Sequence, residues 1–550
     1  MFKLLNFMIF IFCIICNVYA IDLEYVKARM DKTQDIQFIG NVPLLTHKET
    51  QDNSKSLYSD DEQFYYIKFE LKDNYKKEDI KHILINYNPR LFNSINLIKV
   101  NATKNELSKI VDSVKDFADI EYLQSNFAKR RPNDFITKVV EDVGKVQLDE
   151  PLFVENKKDI NKSIDQITPP ALPPLPGSSG GIGNSSTTDN DILAWTPNDP
   201  DFNNQWYLYN TDNSYDLKYL EFKNYLDQKG IKRNFNKNNP VIALVDMGFY
   251  LDTAELKDRV WVNNKEIPNN GKDDDGNGYV DDYMGVDVNP NHQSCSKNLS
   301  NCVNNFLQVK TFLHGFAMSS IIAAVTNNNA YMTGIVESDV KILPISAENN
   351  NFNTIMYYNQ AYDYILSLRK RGVNIIAVNL SIGGKYDATE EKMLSEMNKY
   401  GILVLASAGN DNRNIDITTE YDYPALLTAK LPNIISVGAV DKKGLVTKFS
   451  NYGVKNVNIY MPGDHISVLN IDSSSGNIRV VYSAGTSQAA AVMSGYIGMM
   501  YYLYPNMSLL DLKNIILKNS YTISSFTISG STTKYIANTL DLMLLTNLKM

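Results

Sequence analysis

The chain has 550 residues, 44% of them hydrophobic and 21% charged, enough to bury a full core and to build two or three folded units. A formal net charge of -8, with no basic run denser than Ala128-Lys129-Arg130-Arg131, excludes nucleic acid as the main partner. The composition is also too polar for a membrane bundle.

In chain order, residues 1–20 come first. One positive charge at Lys3 precedes the apolar stretch Leu4 to Cys16, and the small residues Val18 and Ala20 follow, the pattern of a secretory signal peptide. The expected destination is a secreted or other extracytoplasmic compartment, and contact with a membrane is expected only if this segment stays uncleaved. Residues 21–135 form the next unit. Strand-like Tyr65 to Phe69, a helical stretch from Lys76 to Tyr87, strand-like Ile95 to Val100, a helix near Lys104 to Phe117 and Ile120 to Leu123 predict a small α+β domain. A unit this small gains stability by leaning on a partner. Residues 136–196 include the run from Ile167 to Gly181, which passes from proline-rich to Gly/Ser-rich and reads as an exposed linker.

From about residue 197 to 550 the character changes. The β-branched or apolar runs Val241 to Val245, Lys341 to Ile345, Ile375 to Asn379, Ile402 to Ala406 and Ile434 to Val437 alternate with helix-compatible stretches. Strands without polar alternation, separated by helices, predict an α/β fold with a parallel β-sheet sandwiched by helices. Ligands in such sheets bind beyond the carboxyl ends of the strands, so the polar residues ending these runs carry the functional signal.

Asp246 ends the first run, and a strand-end carboxylate of this kind serves as a cap or turn former or as a catalytic orienter. The stretch Asp273-Asp274-Asp275-Gly276-Asn277-Gly278-Tyr279-Val280-Asp281-Asp282 places oxygen ligands at alternate positions, the first half of an EF-hand-type loop. Met284 stands where the closing bidentate Glu would be. The expected calcium ligands are therefore Asp273, Asp275 and Asn277, the Tyr279 carbonyl, and Asp281 or Asp282. Of the four cysteines, Cys13 and Cys16 lie in the first segment, leaving Cys295 and Cys302. These two, with six residues between them in an Asn-rich loop, suit one small disulfide in an oxidising compartment. Zinc would need two further ligands, of which His292 supplies one at most.

His314, one of only five histidines, opens a helical pattern with Gly315. Asn410 follows the run Ile402 to Gly409 and could donate a hydrogen bond to an oxyanion without titrating. Near the C-terminus, Gly485-Thr486-Ser487 precedes another helical pattern, and Ser487 needs a base and an orienting group to become a nucleophile. The five-histidine chain offers His314 as that base and Asp246 as its orienter.

With these residues assembled, the chain resembles the subtilisin-like serine peptidases, the subtilase family. The resemblance rests on Val241 to Gly248, His314-Gly315, Ser407-Ala408-Gly409-Asn410 and Gly485-Thr486-Ser487, and extends to Asn379 through Gly384, Phe449 to Gly453 and Met461-Pro462-Gly463. It implies a secreted serine endopeptidase made as a self-processing zymogen, with an Asp246, His314, Ser487 triad and Asn410 as oxyanion donor. It also implies protein or peptide substrates held beside Leu380, Ser381, Ile382, Gly383 and Gly409. By the same resemblance the unit before the linker is an inhibitory propeptide-like domain, residues 197–550 form the catalytic domain, and calcium is a structural ion. Two places depart from the family pattern: Phe316-Ala317 stand where it has Thr-His, and Gln488 to Ala491 where it has Met-Ala-Ala-Pro. The alternative from another class is a weak or inactive relative that captures peptides. An α/β-hydrolase is excluded by the missing G-x-S-x-G elbow and by the Asp-His-Ser order.

Overall fold

The computed structural model describes residues 64–125, 196–289, 313–347 and 357–520 apart from 73–74, 93–94, 212–214, 236–237, 418–421 and 473–474. It also describes the backbone of 34–39, 42–47, 135–139, 521–523, 527–528, 531–532 and 535–537. The signal-peptide-like segment, most of the linker, and Cys295, Cys302 and His292 lie outside the described residues.

The N-terminal unit is a sheet of six strands in the order β1-β2-β6-β3-β5-β4. Its strands are β1 (Gln34–Ile39), β2 (Val42–His47), β3 (Phe64–Leu71), β4 (Arg90–Phe92), β5 (Leu97–Asn101) and β6 (Ala118–Ser125). Helices α1 (Lys77–Ile83) and α2 (Leu107–Val114) cover one face, and Leu107, Ile110 and Val114 of α2 meet Ile67, Phe69 and Ile98 in a core of their own. Strand β7 (Phe135–Val139) belongs elsewhere, as described below.

The C-terminal unit is built on one large sheet. From one edge it runs through Tyr521–Ile523, Tyr535–Ala537, β14 (Ile459–Pro462), β13 (Ile434–Val440), β12 (Leu403–Ser407), β11 (Ile375–Leu380), β8 (Val241–Asp246), β10 (Lys341–Ser346) and β9 (Val286–Asp287). Every pairing is parallel except that of the Tyr521–Ile523 edge strand. Helices α3 (Tyr219–Gln228), α4 (His314–Ala323), α5 (Tyr358–Lys370), α6 (Ala388–Lys399), α7 (Thr486–Leu503) and α8 (Leu509–Lys518) complete it. Two cores lie on opposite faces: Ile242 and Leu244 of β8 join α4 and α7, while Val241, Ala243 and Val245 join α5 and α6. That division explains why β8 is buried at all six positions and shows no polar alternation. A separate antiparallel hairpin, β15 (Ile466–Ile471) and β16 (Ile478–Ala484), leads directly into α7.

The expected leaning of the N-terminal unit is toward α5 and α6. Tyr66, Phe92 and Leu97 join the same apolar cluster as Tyr357, Tyr358 and Tyr362, and each such burial contributes about 1.5–3 kcal/mol. Around it, Gln124 Nε2 donates to Asp387 Oδ1 at 2.6 Å, Lys392 Nζ meets Glu121 at 2.7 Å, and Lys99 Nζ lies 4.9 Å from the centre of the Tyr357 ring. Asp387 is the N-cap of α6, accepting from Thr389 N and Glu390 N, so Gln124 docks on a carboxylate already fixed by a helix end.

The sequence reading did not anticipate β7. It pairs antiparallel with the outer edge of β16, with Val139 opposite Val481 and Phe135 opposite Ala484.

Candidate active site

Asp246 stands at the carboxyl end of β8, and its Oδ1 accepts from Met247 N at 2.7 Å. Gly248 has a left-handed φ of 70°, and a Cβ there would lie 3.1 Å from Leu313 Cα, so glycine lets the β8 turn approach the start of α4. The turn then caps α4: Gly315 N donates to Met247 O at 2.7 Å and Phe316 N to Gly248 O at 2.9 Å. His314, the first residue of α4, is thereby held over Asp246, and its Nδ1 lies 2.7 Å from Oδ1 and 2.8 Å from Oδ2. Both side chains are fully buried. A carboxylate bridging Nδ1 fixes the imidazole with its Nδ1–H toward Asp246.

Ser487 is the second residue of α7. Gly485 N donates to Gly463 O at 2.8 Å, and a Cβ on Gly463 would lie 2.8 Å from Gly485 O, so this crossing needs glycine. Ser381 Oγ donates to Ser487 O at 3.2 Å and accepts from Asn379 Nδ2 at 3.1 Å, tying the Ser487 turn to the end of β11. Asn410 Oδ1 accepts from Thr486 N at 2.9 Å and from Thr486 Oγ1 at 2.8 Å, which leaves the Asn410 amide Nδ2 as its donor. Asp246 with His314, Asn410 with Thr486, and Ser381 with Ser487 are therefore brought into contact. The hydroxyl of Ser487 is buried and has no hydrogen-bond partner among the described residues, so it is not bonded to His314 in this resting geometry. Unliganded sites often show this looseness and tighten around substrate.

The residues that depart from the family pattern face inward. Phe316 is fully buried and meets Tyr250 edge-on at 5.7 Å. Gln488 Nε2 donates to Ser483 Oγ at 2.7 Å, joining the first turn of α7 to β16, and Ala491 is buried.

Leu380, Ser381 and Ile382 are buried and Gly383 is partly so. Just beyond them Gly384 makes an antiparallel bridge to Tyr423, with both N–H···O distances 3.0 Å. Gly409 has a φ of 101° and abuts Asn451, where a Cβ would lie 2.3 Å from Nδ2.

In the acidic loop the structure shares out the predicted ligands. Asp273 accepts from Asn277 N and Gly278 N, Asp281 from Asn270 N and Gly271 N, and Asp282 from Asn277 Nδ2 and Tyr364 Oη. Asn277 Oδ1 accepts from Tyr279 N, and the Tyr279 ring sits under Arg90 at 5.0 Å. What comes together instead is Glu266, Asp273 and Asp275, each offering an oxygen within 4.8 Å of the others. Among the described residues Glu266 Oε2 and Asp275 Oδ1 are buried without hydrogen-bond partners, Arg371 Nη1 lying 3.8 Å from Asp275 Oδ1, and Glu266 is 4% exposed. Burial, helped by Asp282 and Asp275, pushes the Glu266 carboxyl above its usual range. Converging hard oxygens of like charge suit a cation of the calcium type. The sequence reading missed Glu266 because it lies seven residues ahead of the periodic acidic run.

Comparison with known proteins places this geometry. Residues 237–541, more than half of the chain, match the subtilase family. The chain is 27% identical over 342 residues to the cell wall-associated protease of Bacillus subtilis, a match covering 60% of this chain and 31% of that protein. It is 27% identical over 330 residues to the extracellular basic protease of Dichelobacter nodosus, covering 56% and 48% respectively. The chain thus spans between about a third and a half of these relatives. Among solved structures, fervidolysin from Fervidobacterium pennivorans shares the fold with a TM-score of 0.54 at 17% identity, over 89% of this chain and 62% of that one. The parallel sheet flanked by helices and the match across its strand ends lead to one conclusion: the chain belongs to the subtilase family of serine peptidases.

Proposed function

We propose that this chain is a secreted serine endopeptidase made as a self-processing zymogen. The observation that carries the reading is the buried carboxylate–imidazole contact at the strand end, Asp246 to His314 Nδ1 at 2.7 Å. In the proposed reaction Ser487 Oγ attacks the scissile carbonyl while His314 Nε2 takes its proton. Asp246 holds the imidazole and stabilises its cation, and Asn410 Nδ2 with the Ser487 N–H binds the oxyanion. His314 then returns the proton to the leaving amine. Extended peptide or protein substrates lie beside Leu380 to Gly383 and Gly409 by strand addition.

Two contacts support the zymogen. The N-terminal unit covers α5 and α6 through Tyr66, Phe92 and Leu97, and β7 occupies the β16 edge that runs into Gly485-Thr486-Ser487. In this reading that unit is the chain's own inhibitor, removed by a cut between it and Asn198. Secretion is supported by the names of the relatives, which are extracellular or cell wall-associated.

A fluorophosphonate probe tests the activated serine. Labelling of wild-type protein freed of its N-terminal unit, lost in Ser487→Ala, is the expected result. Failure of the folded wild type to label favours the peptide-capture alternative, for which the unbonded Ser487 hydroxyl is the supporting observation.

Calcium is proposed as a structural ion at Glu266, Asp273 and Asp275. A bound ion supplies charge neutralisation to carboxylates that otherwise repel. At a calcium concentration 100-fold above Kd it adds about 2.7 kcal/mol of stability. Chelation is expected to lower the Tm of the wild type by several degrees and that of Glu266→Gln much less, as read by calorimetry; equal shifts would remove Glu266 from the ligand set.

A further inference from the structure

The loop that carries Asn410 is bonded to Thr486 and, through Ala408 N and Asn412 N, to Val437 O and Phe449 O. The loop after Phe449 also holds it through Asn451, whose side-chain oxygen and nitrogen both reach it. Asn451 Oδ1 accepts from Asp411 N and Arg413 N, both at 3.0 Å, while Nδ2 donates to Ala408 O at 2.9 Å. Its backbone N donates to Gly409 O at 2.8 Å, and its backbone O accepts from Ser450 Oγ at 2.9 Å. Asn451 thereby fixes the residues on both sides of Asn410. It is fully buried, so these bonds are made without competition from water.

The same Nδ2 donates to Asp422 Oδ1 at 2.9 Å, which also accepts from Arg413 Nη2 at 2.9 Å. Asp422 is 5% exposed, and its Oδ2 is buried without a hydrogen-bond partner among the described residues, a costly arrangement for a group serving stability alone. The next residue, Tyr423, makes the two-bond bridge to Gly384 at the end of the Leu380–Gly383 edge. One chain of contacts therefore joins the edge to the oxyanion loop: Gly384, Tyr423, Asp422, Asn451, then Ala408 to Arg413. Gly409 belongs to it because a Cβ there would strike Asn451 Nδ2 at 2.3 Å and approach Asp422 Oδ1 at 3.3 Å.

We propose that Asn451 and Asp422 are positioning residues for the oxyanion site, their side chains setting where the Asn410 amide stands relative to the edge that holds the substrate backbone. The proposal rests on the reading of Asn410 as oxyanion donor. Its physical basis is the tolerance of such sites: a donor must be within about 0.5 Å of its productive place to act on the transition state. Losing the clamp therefore lowers kcat and leaves KM nearly alone, because the edge that binds ground-state substrate keeps its own bonds.

The test is a double-mutant cycle on the processed enzyme with a peptide substrate. Asn410→Ala alone is expected to lower kcat by about 10²–10³-fold. Asn451→Ala alone is expected to lower kcat by about 10–10²-fold with KM changed less than about 3-fold, and to cost less than about 3-fold more once Asn410 is already Ala. Asp422→Asn, which keeps the shape and an acceptor for Asn451, gives a smaller loss with the same non-additivity and guards against an Asn451 variant that fails to fold. Additive losses in the cycle, or a KM rise that accounts for the Asn451→Ala defect, would overturn the proposal. An unchanged kcat in Asn410→Ala would overturn the oxyanion assignment itself and this proposal with it, a failure distinguishable from the first.

Discussion

Ser487→Ala is expected to reduce kcat by a factor on the order of 10⁶, the size of loss that removing the nucleophile produces in subtilisin. The reason is that Ser487 is the one group in the site that forms a bond to the substrate in the proposed reaction. The side chain is small and buried beside Ser381 and Thr486, so its truncation leaves α7, the Asn410–Thr486 bonds and the Asp246–His314 pair in place. Peptide turnover by purified, folded protein reads the effect, with unchanged Tm as the control for structure. Residual activity within a factor of ten of the wild type would mean that Ser487 is not the nucleophile.

Asp246→Asn is expected to cost about 10⁴-fold in kcat. An amide at this position can donate to Nδ1, which favours the tautomer that puts the proton on Nε2, where it cannot accept from the serine. The double contact of His314 Nδ1 with both Asp246 oxygens, at 2.7 and 2.8 Å, makes the carboxylate hard to replace. Because an imidazole protonated on Nε2 cannot take the serine proton, hydroxide must take it instead, and the residual rate should rise with pH. A loss of only a few-fold at neutral pH would show that His314 is oriented by something else.

Much of the sheet was legible because its strands are buried on both faces. The runs at Val241, Lys341, Ile375, Ile402 and Ile434 carry no polar alternation, and each is a parallel strand of the large sheet. Asp246, His314, Asn410 and Ser487 were conspicuous because a chemistry-bearing residue follows an apolar run or opens a helix. The hairpin of β15 and β16 was harder to read, since Asn470, Arg479 and Tyr482 interrupt its apolar pattern and its partner strand is remote in sequence. Strand β7 could not be read at all: Phe135–Val139 borders a polar linker, and only the register against Val481 to Ala484 gives it a place. Glu266 and the Asn451–Asp422 contact share that difficulty, because each depends on loops that meet only after the sheet has formed. The sequence assigned calcium oxygens to Asp281 and Asp282, which accept from backbone and side-chain donors as Asp273 also does, and did not find Glu266, whose carboxylate the fold brings together with Asp273 and Asp275.

The most direct test is N-terminal sequencing of the purified protein beside its Ser487→Ala form. The wild type is expected to yield a new N-terminus between the N-terminal unit and Asn198, and the Ser487→Ala form to keep its N-terminal unit covalently attached. Identical processing of the two proteins would contradict the claim that this chain cuts itself through Ser487.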